Sequence, residues 1–277
     1  MKLTTTLTAL LLIACAAAPA IAEDAERVVV PARNSTRPRV VNASVLNGSI
    51  TVKTYDGKEV IVEAGSASQL RERLRQRDTA PPDGLKKLEL PGRSGLEVEE
   101  EDNVITIKTG VMSSSNLLIT VPVNTSLNLK GTNGGHINVD GVNGELDINN
   151  LNGSIALTNV SGSVIAHSLN GSVKVTMNHV DPGKQLSFST LNGSIDVTLP
   201  ADLKANLKLK ADNGSIYTDF DVKFDASASK PITESTGGEN GRFHVHYDKT
   251  IYGTINGGGP EVSFQTFNGR ISIRKKP

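Results

Sequence analysis

Tryptophan is absent from the 277 residues, and only six phenylalanines and four tyrosines are present. That leaves little material for the aromatic platforms on which bases or sugar rings stack. Charge of one sign is also lacking: 29 basic residues balance 29 acidic ones. A chain without net charge has no global field to recruit nucleic acid or an anionic membrane surface. Cysteine occurs once, at Cys15, so no disulfide framework can stabilise a folded domain here. The apolar run Leu7 to Ala18 is too short and alanine-rich for a comfortable membrane span.

That run reads as a secretory signal. Lys2 supplies the positive start, and Ala20-Ile21-Ala22 places small residues where a signal peptidase reads them. Two processing routes are open. Leu12-Ile13-Ala14-Cys15 resembles a bacterial lipobox, which would lipidate Cys15 and make it the mature N-terminus. The rival is cleavage after Ala22, with an acidic mature start at Glu23. Either route exports the chain to the periplasm, outer membrane or cell surface, with membrane contact only through the lipid.

What the sequence does have is a repeated phrase. Ile137, Leu146, Ile155, Val164 and Val173 follow one another at nine-residue intervals between Gly131 and Thr176. Gly144, Gly153, Gly162 and Gly171 each lie two residues ahead of one of them, preceded by Asn143, Asn152, Ser161 and Asn170. Self-similarity at a fixed short period marks a solenoid. Later the spacing lengthens: Val173, Ile195 and Ile216 lie 22 and 21 residues apart, with plain alternating strands between them. The reading is an all-β, single-stranded β-solenoid (a β-helix) with coils of 18–22 residues, the nine-residue period being half a coil.

The chain divides accordingly into a signal over 1–22, a polar tether or cap over 23–39, and a solenoid over 40–277. Two stretches interrupt the pattern. Residues 65–95 contain Leu70 and Leu74 among Arg71, Arg73, Arg75 and Arg77, which reads as a short basic amphipathic helix packed on the flank. Residues 225–250 are polar and glycine-rich. Asp56-Gly57 signals a hairpin or corner, and Pro122 a corner or an edge. The closing Arg274-Lys275-Lys276 reads as a charged last coil that discourages end-to-end pairing.

Within the phrase each repeated residue has a structural reading. Period-two alternation puts Leu151, Ile155 and Leu157 on the inward face. Gly153 suits a crowded or bulged corner, and asparagine tolerates the turn while its amide can bond its counterpart one coil away. The Asn-Gly-Ser triplets at Asn47, Asn152, Asn170, Asn192 and Asn213 match a glycosylation sequon, but the turn alone explains them.

The phrase, the passage VITIKT…LLITVPVNTSLNLKGTNGGHINV and the closing GTINGGGPEVSFQTFNGRISI together resemble the bacterial DUF4097 family, an adhesin-like group of domains. The resemblance spans roughly Val40 to Arg274 apart from the two interruptions. It implies a β-solenoid on exported or membrane-anchored envelope proteins, with no catalytic residue to carry over.

Candidate chemistry is thin. His244, His246 and Asp248 alternate along one strand and form the candidate metal site, weighed against a solvated polar face. His136, His167 and His179 lie at or near corners without partner spacing. Glu97, Glu99 and Glu101, with Asp102, read as a solvated acidic edge rather than a calcium site. Asp140, Asp147 and Asp196 are too scattered to form the paired carboxylates of a carbohydrate-active β-helix enzyme. The expectation is therefore a non-enzymatic, cofactor-free envelope protein serving adhesion, a scaffold or envelope stress. Its partner would be a surface protein or polysaccharide and not nucleic acid. A carbohydrate-active enzyme and a metal module at His244 and His246 are the alternatives.

Overall fold

A computed structural model describes residues 26–33, 37–66, 95–110, 115–225, 231–235, 243–247 and 250–277. Among them there is no helix, and the strands run as follows. The N-terminal part holds β1 (Glu26–Val30), β2 (Arg39–Asn47), β3 (Ile50–Tyr55), β4 (Val60–Ser66), β5 (Glu97–Glu101), β6 (Val104–Lys108) and β7 (Ser115–Pro122). The repeat proper holds β8 (Thr125–Asn133), β9 (Ile137–Asp140), β10 (Asn143–Asn152), β11 (Ile155–Asn170), β12 (Val173–Val180), β13 (Leu186–Asn192) and β14 (Ile195–Leu199). Then come β15 (Ala205–Asn213), β16 (Ile216–Thr218), β17 (Lys223–Phe224), β18 (Pro231–Ser235), β19 (Phe243–Tyr247), β20 (Ile251–Ile255), β21 (Glu261–Asn268) and β22 (Ile271–Lys275).

These strands stack in parallel as two faces of a solenoid. Leu146 pairs with Leu127 and with Val164 on the first face, while Ile155 pairs with Ile137 and Val173 on the second. Leu146 and Ile155, nine residues apart, thus sit on opposite faces of one coil. β11 serves both faces, with positive φ at Asn159 and Gly162 where it turns between them. Inward residues of the two faces merge into one apolar core.

The coils are not stacked in chain order. On the first face the order is β5, β6, β2, β8, β10, the C-terminal part of β11, β13, β21, β15, β20, β17. β21 and β22 therefore occupy the slot between β13/β14 and β15/β16. Likewise β2/β3 lies between β6/β7 and β8/β9. Antiparallel strands close the stack: β5 on β6, β4 and β1 beyond β7, and β20 and β17 beyond β15.

This corrects the expected role of the C-terminus. Arg274-Lys275 ends an interior strand, where Arg274 reaches Asp196 at 3.1 Å and Lys275 lies 5.5 Å from the Phe220 ring centre. Charged edge protection falls instead to β5, whose Glu97, Glu99 and Glu101 face water. Asp56-Gly57 makes a corner rather than a hairpin, since β3 and β4 flank β7 instead of pairing with each other. The amphipathic segment around Leu70 and Leu74 lies outside the described residues. Within the second interruption, β18 and β19 pair as an antiparallel ribbon.

Two contacts repeat at the Asn-Gly corner. The Nδ2 of Asn170 donates to Oδ1 of Asn152 at 2.8 Å, Asn192 to Asn170 at 2.9 Å, Asn268 to Asn192 at 2.8 Å and Asn213 to Asn268 at 3.0 Å, the ladder expected of the phrase. The second contact was not legible beforehand. Buried Asn150, Ser168, Thr190 and Thr266 each donate to the carbonyl of a phrase glycine one coil away: Gly135, Gly153, Gly171 and Gly193, at 2.8–3.1 Å. An unpaired buried carbonyl is costly. Ser168→Ala should thus lower stability by about 1–3 kcal/mol in urea titrations, although only one oxygen is removed.

That inward polar position shifts the phase of the phrase. Asn150 points inward, so Leu151 points out and is 43% exposed, contrary to the inward placement expected from simple alternation.

Candidate functional surface

The outward first face is built in rows along the stack. One row runs Lys130, Asn149, His167, Ser189, Gln265 and Lys210, because these residues occupy the same register position in successive strands. Asn149 donates to Asp147 at 2.8 Å, and His167 Nδ1 lies 2.7 Å from Ser189 Oγ. His167 is therefore mid-strand and partnered, not a lone corner histidine. The adjacent row, next to the Asn ladder, runs Thr132, Leu151, Leu169, Leu191, Phe267 and Asp212. Leu151, Leu191 and Phe267 are 40–45% exposed, and Leu169 is half-buried.

The His167–Ser189 contact sits on an outward sheet face, on strands paired in parallel with their neighbours. The carboxylates remain apart. Asp147 is on the first face, Asp196 is on the second and engaged by Arg274, and Asp140 accepts from Asn159 at a corner of the second. Among the described residues no group of three His, Cys, Asp or Glu is placed to hold a metal.

A cleft of about 250 Å³ lies where corner loops of three coils meet. Val180, Leu203 and Val262 form its apolar lining, with His179, Asp181 and Lys204 among its polar residues. Lys184 also lines it and contacts Glu145 at 2.6 Å. Hydrogen bonding to Glu145 holds the Lys184 ammonium above the ordinary lysine range. This exposed contact persists at neutral pH and is lost as alkaline pH deprotonates the lysine.

The sequence-derived site residues are mostly not tested by this geometry. Cys15 and Asp248 lie outside the described residues, and His244 and His246 are described only as backbone positions of β19, paired with Glu234 and Ile232 of β18. The exposed apolar row was missed, and its signal was available: leucine or phenylalanine precedes Asn-Gly at positions 46, 151, 169, 191 and 267.

A family model described as Toastrack DUF4097 matches residues 40–256. The chain belongs to this Toastrack family. The match begins within β2 and ends after β20, so β21 and β22, which fill an interior slot of the Toastrack stack, lie beyond it. Among solved structures, one similar chain is a "putative cell adhesion protein" from Clostridium sporogenes, 11% identical, with a TM-score of 0.46, covering 91% of this chain and 100% of that one. Another is a "putative adhesin" from Bacteroides fragilis, 13% identical, with a TM-score of 0.35, covering 92% of this chain and 98% of that one. Comparison with curated proteins gives no match.

Proposed function

We propose that this Toastrack chain is an exported, non-enzymatic interaction module of the cell envelope, acting in adhesion or as a scaffold. One observation carries the reading. Its outward faces are built of side-chain ladders, with Asp147 on the first face and Asp140 and Asp196 on non-adjacent strands of the second. A rigid capped rod with periodic side chains recognises by shape and surface chemistry. Its partner is a surface protein or a polysaccharide, and the signal read in residues 1–22 supports export to the periplasm, outer membrane or cell surface.

Cells displaying the full chain should attach to envelope or host-surface preparations more than cells lacking it, with no reducing ends released from polysaccharide substrates. Release of reducing ends would favour the enzyme reading and sink this one. Mass spectrometry of the mature N-terminus separates the anchoring routes: a diacylglyceryl-modified Cys15 and a free Glu23 are mutually exclusive.

A further inference from the structure

Leu151, Leu169, Leu191 and Phe267 occupy four consecutive rungs of the first face, pointing out beside the Asn ladder. Every other recurring residue of the phrase has a partner inside the molecule: the asparagine its neighbour, the inward polar residue a glycine carbonyl, the glycine a close backbone approach. The leucine row has none, and neither turn geometry nor core packing asks for an apolar side chain there. Yet it recurs coil after coil. Contiguous exposed apolar side chains rimmed by polar ones mark interaction surfaces.

We propose that this ridge is the contact between two copies of the chain, packed ridge to ridge in antiparallel fashion. The proposal rests on the interaction-module reading and assigns it a surface and a partner. Three features favour a second copy. Its ridge has the same rung spacing, about 4.8 Å, so apolar rungs stay matched along the whole contact. A two-fold axis midway between Leu169 and Leu191 sets Leu151 against the partner's Phe267 and places Asp212 opposite Thr132, whereas a parallel arrangement brings like carboxylates together. Across the four rungs, the flanking rows are Asn149, His167, Ser189 and Gln265 on one side and Asn152, Asn170, Asn192 and Asn268 on the other, with no carboxylate, lysine or arginine in them. Two identical surfaces therefore meet without the repulsion that charged rows would impose, and these four rungs carry no lysine or arginine to favour an anionic membrane. Four rungs span roughly 15 Å, which is small for an obligate dimer and suits a weak, reversible one.

Sedimentation velocity on the mature chain over a concentration series tests this. A monomer–dimer equilibrium is expected, with a dissociation constant between about 1 μM and 1 mM. Leu169→Ser combined with Leu191→Ser should weaken it at least about tenfold while leaving the thermal melt unchanged, because both residues face outward. Leu191→Arg, which sets cations against each other near the axis, should do the same; Lys174→Ser on the second face should not. A monomer at every concentration up to about 1 mM overturns the proposal, as does a dimer indifferent to both ridge variants. Ridge-dependent binding to neutral oligosaccharides or lipid vesicles by a strictly monomeric chain overturns it in favour of that ligand. A monomer that still mediates attachment removes the self-contact and leaves the adhesive reading standing.

Discussion

Gly171→Ala is expected to destabilise the protein by about 3 kcal/mol or more, a large effect for adding one methyl group. Gly171 has no left-handed backbone requirement, so its conformation is open to alanine. The obstacle is the next coil. A β-carbon built on Gly171 falls well inside contact distance of the Gly153 carbonyl, with Ser154 N at 2.9 Å. Gly153, Gly193 and Gly269 meet the same obstacle from Gly135, Gly171 and Gly193. Backbone cannot rotate away as a long side chain can, and parting the coils would stretch the hydrogen bond from Ile155 N to Ser172 O that joins them. Gly183→Ala supplies the contrast. Its φ is +80° and nothing lies within 4 Å of a β-carbon there, so only the left-handed penalty of about 1–2 kcal/mol applies. Urea midpoints compare the two, and a Gly171 shift no larger than that of Gly183 would refute close coil approach as the reason for the glycine.

Phe188→Ala should cost about 3–5 kcal/mol. Phe188 is fully buried and stacks on Phe264, ring centres 5.2 Å apart, with Ala166 at the same position on the opposite side. Strands fixed at the coil spacing cannot collapse into the space left, so the cavity persists. In a protein with six phenylalanines, this pair is a large share of the aromatic core. A double-mutant cycle with Phe264→Ala should return a coupling of about 0.5–1.5 kcal/mol. Coupling within error of zero would show that the two rings act only as separate apolar volumes.

Some of this was legible from residues and some was not. The nine-residue half-coil and the Asn ladder follow from spacing and amide chemistry, and both stand in the structure as expected. Strict alternation through the corner puts Leu151 inside, whereas Asn150 turns inward there to reach Gly135 and sends Leu151 out. Sequence spacing gives His167 no partner because Ser189 lies 22 residues away and meets it only through the coil register.

The sequence by itself determined the all-β solenoid, its coil length and the chemistry of its corners, because each phrase carries its own turn and its own inward and outward sides. Only the tertiary structure decided the order of the coils. Identical phrases are complementary to one another at every level, so a coil such as β21/β22 can stack wherever an edge is open. The antiparallel strands β20 and β17 cover the outer edge of the β15 coil and leave its inner edge for the returning chain. The structure also decided which residues meet solvent, because the inward turn of the polar residue before each corner sends the leucine beside it outward.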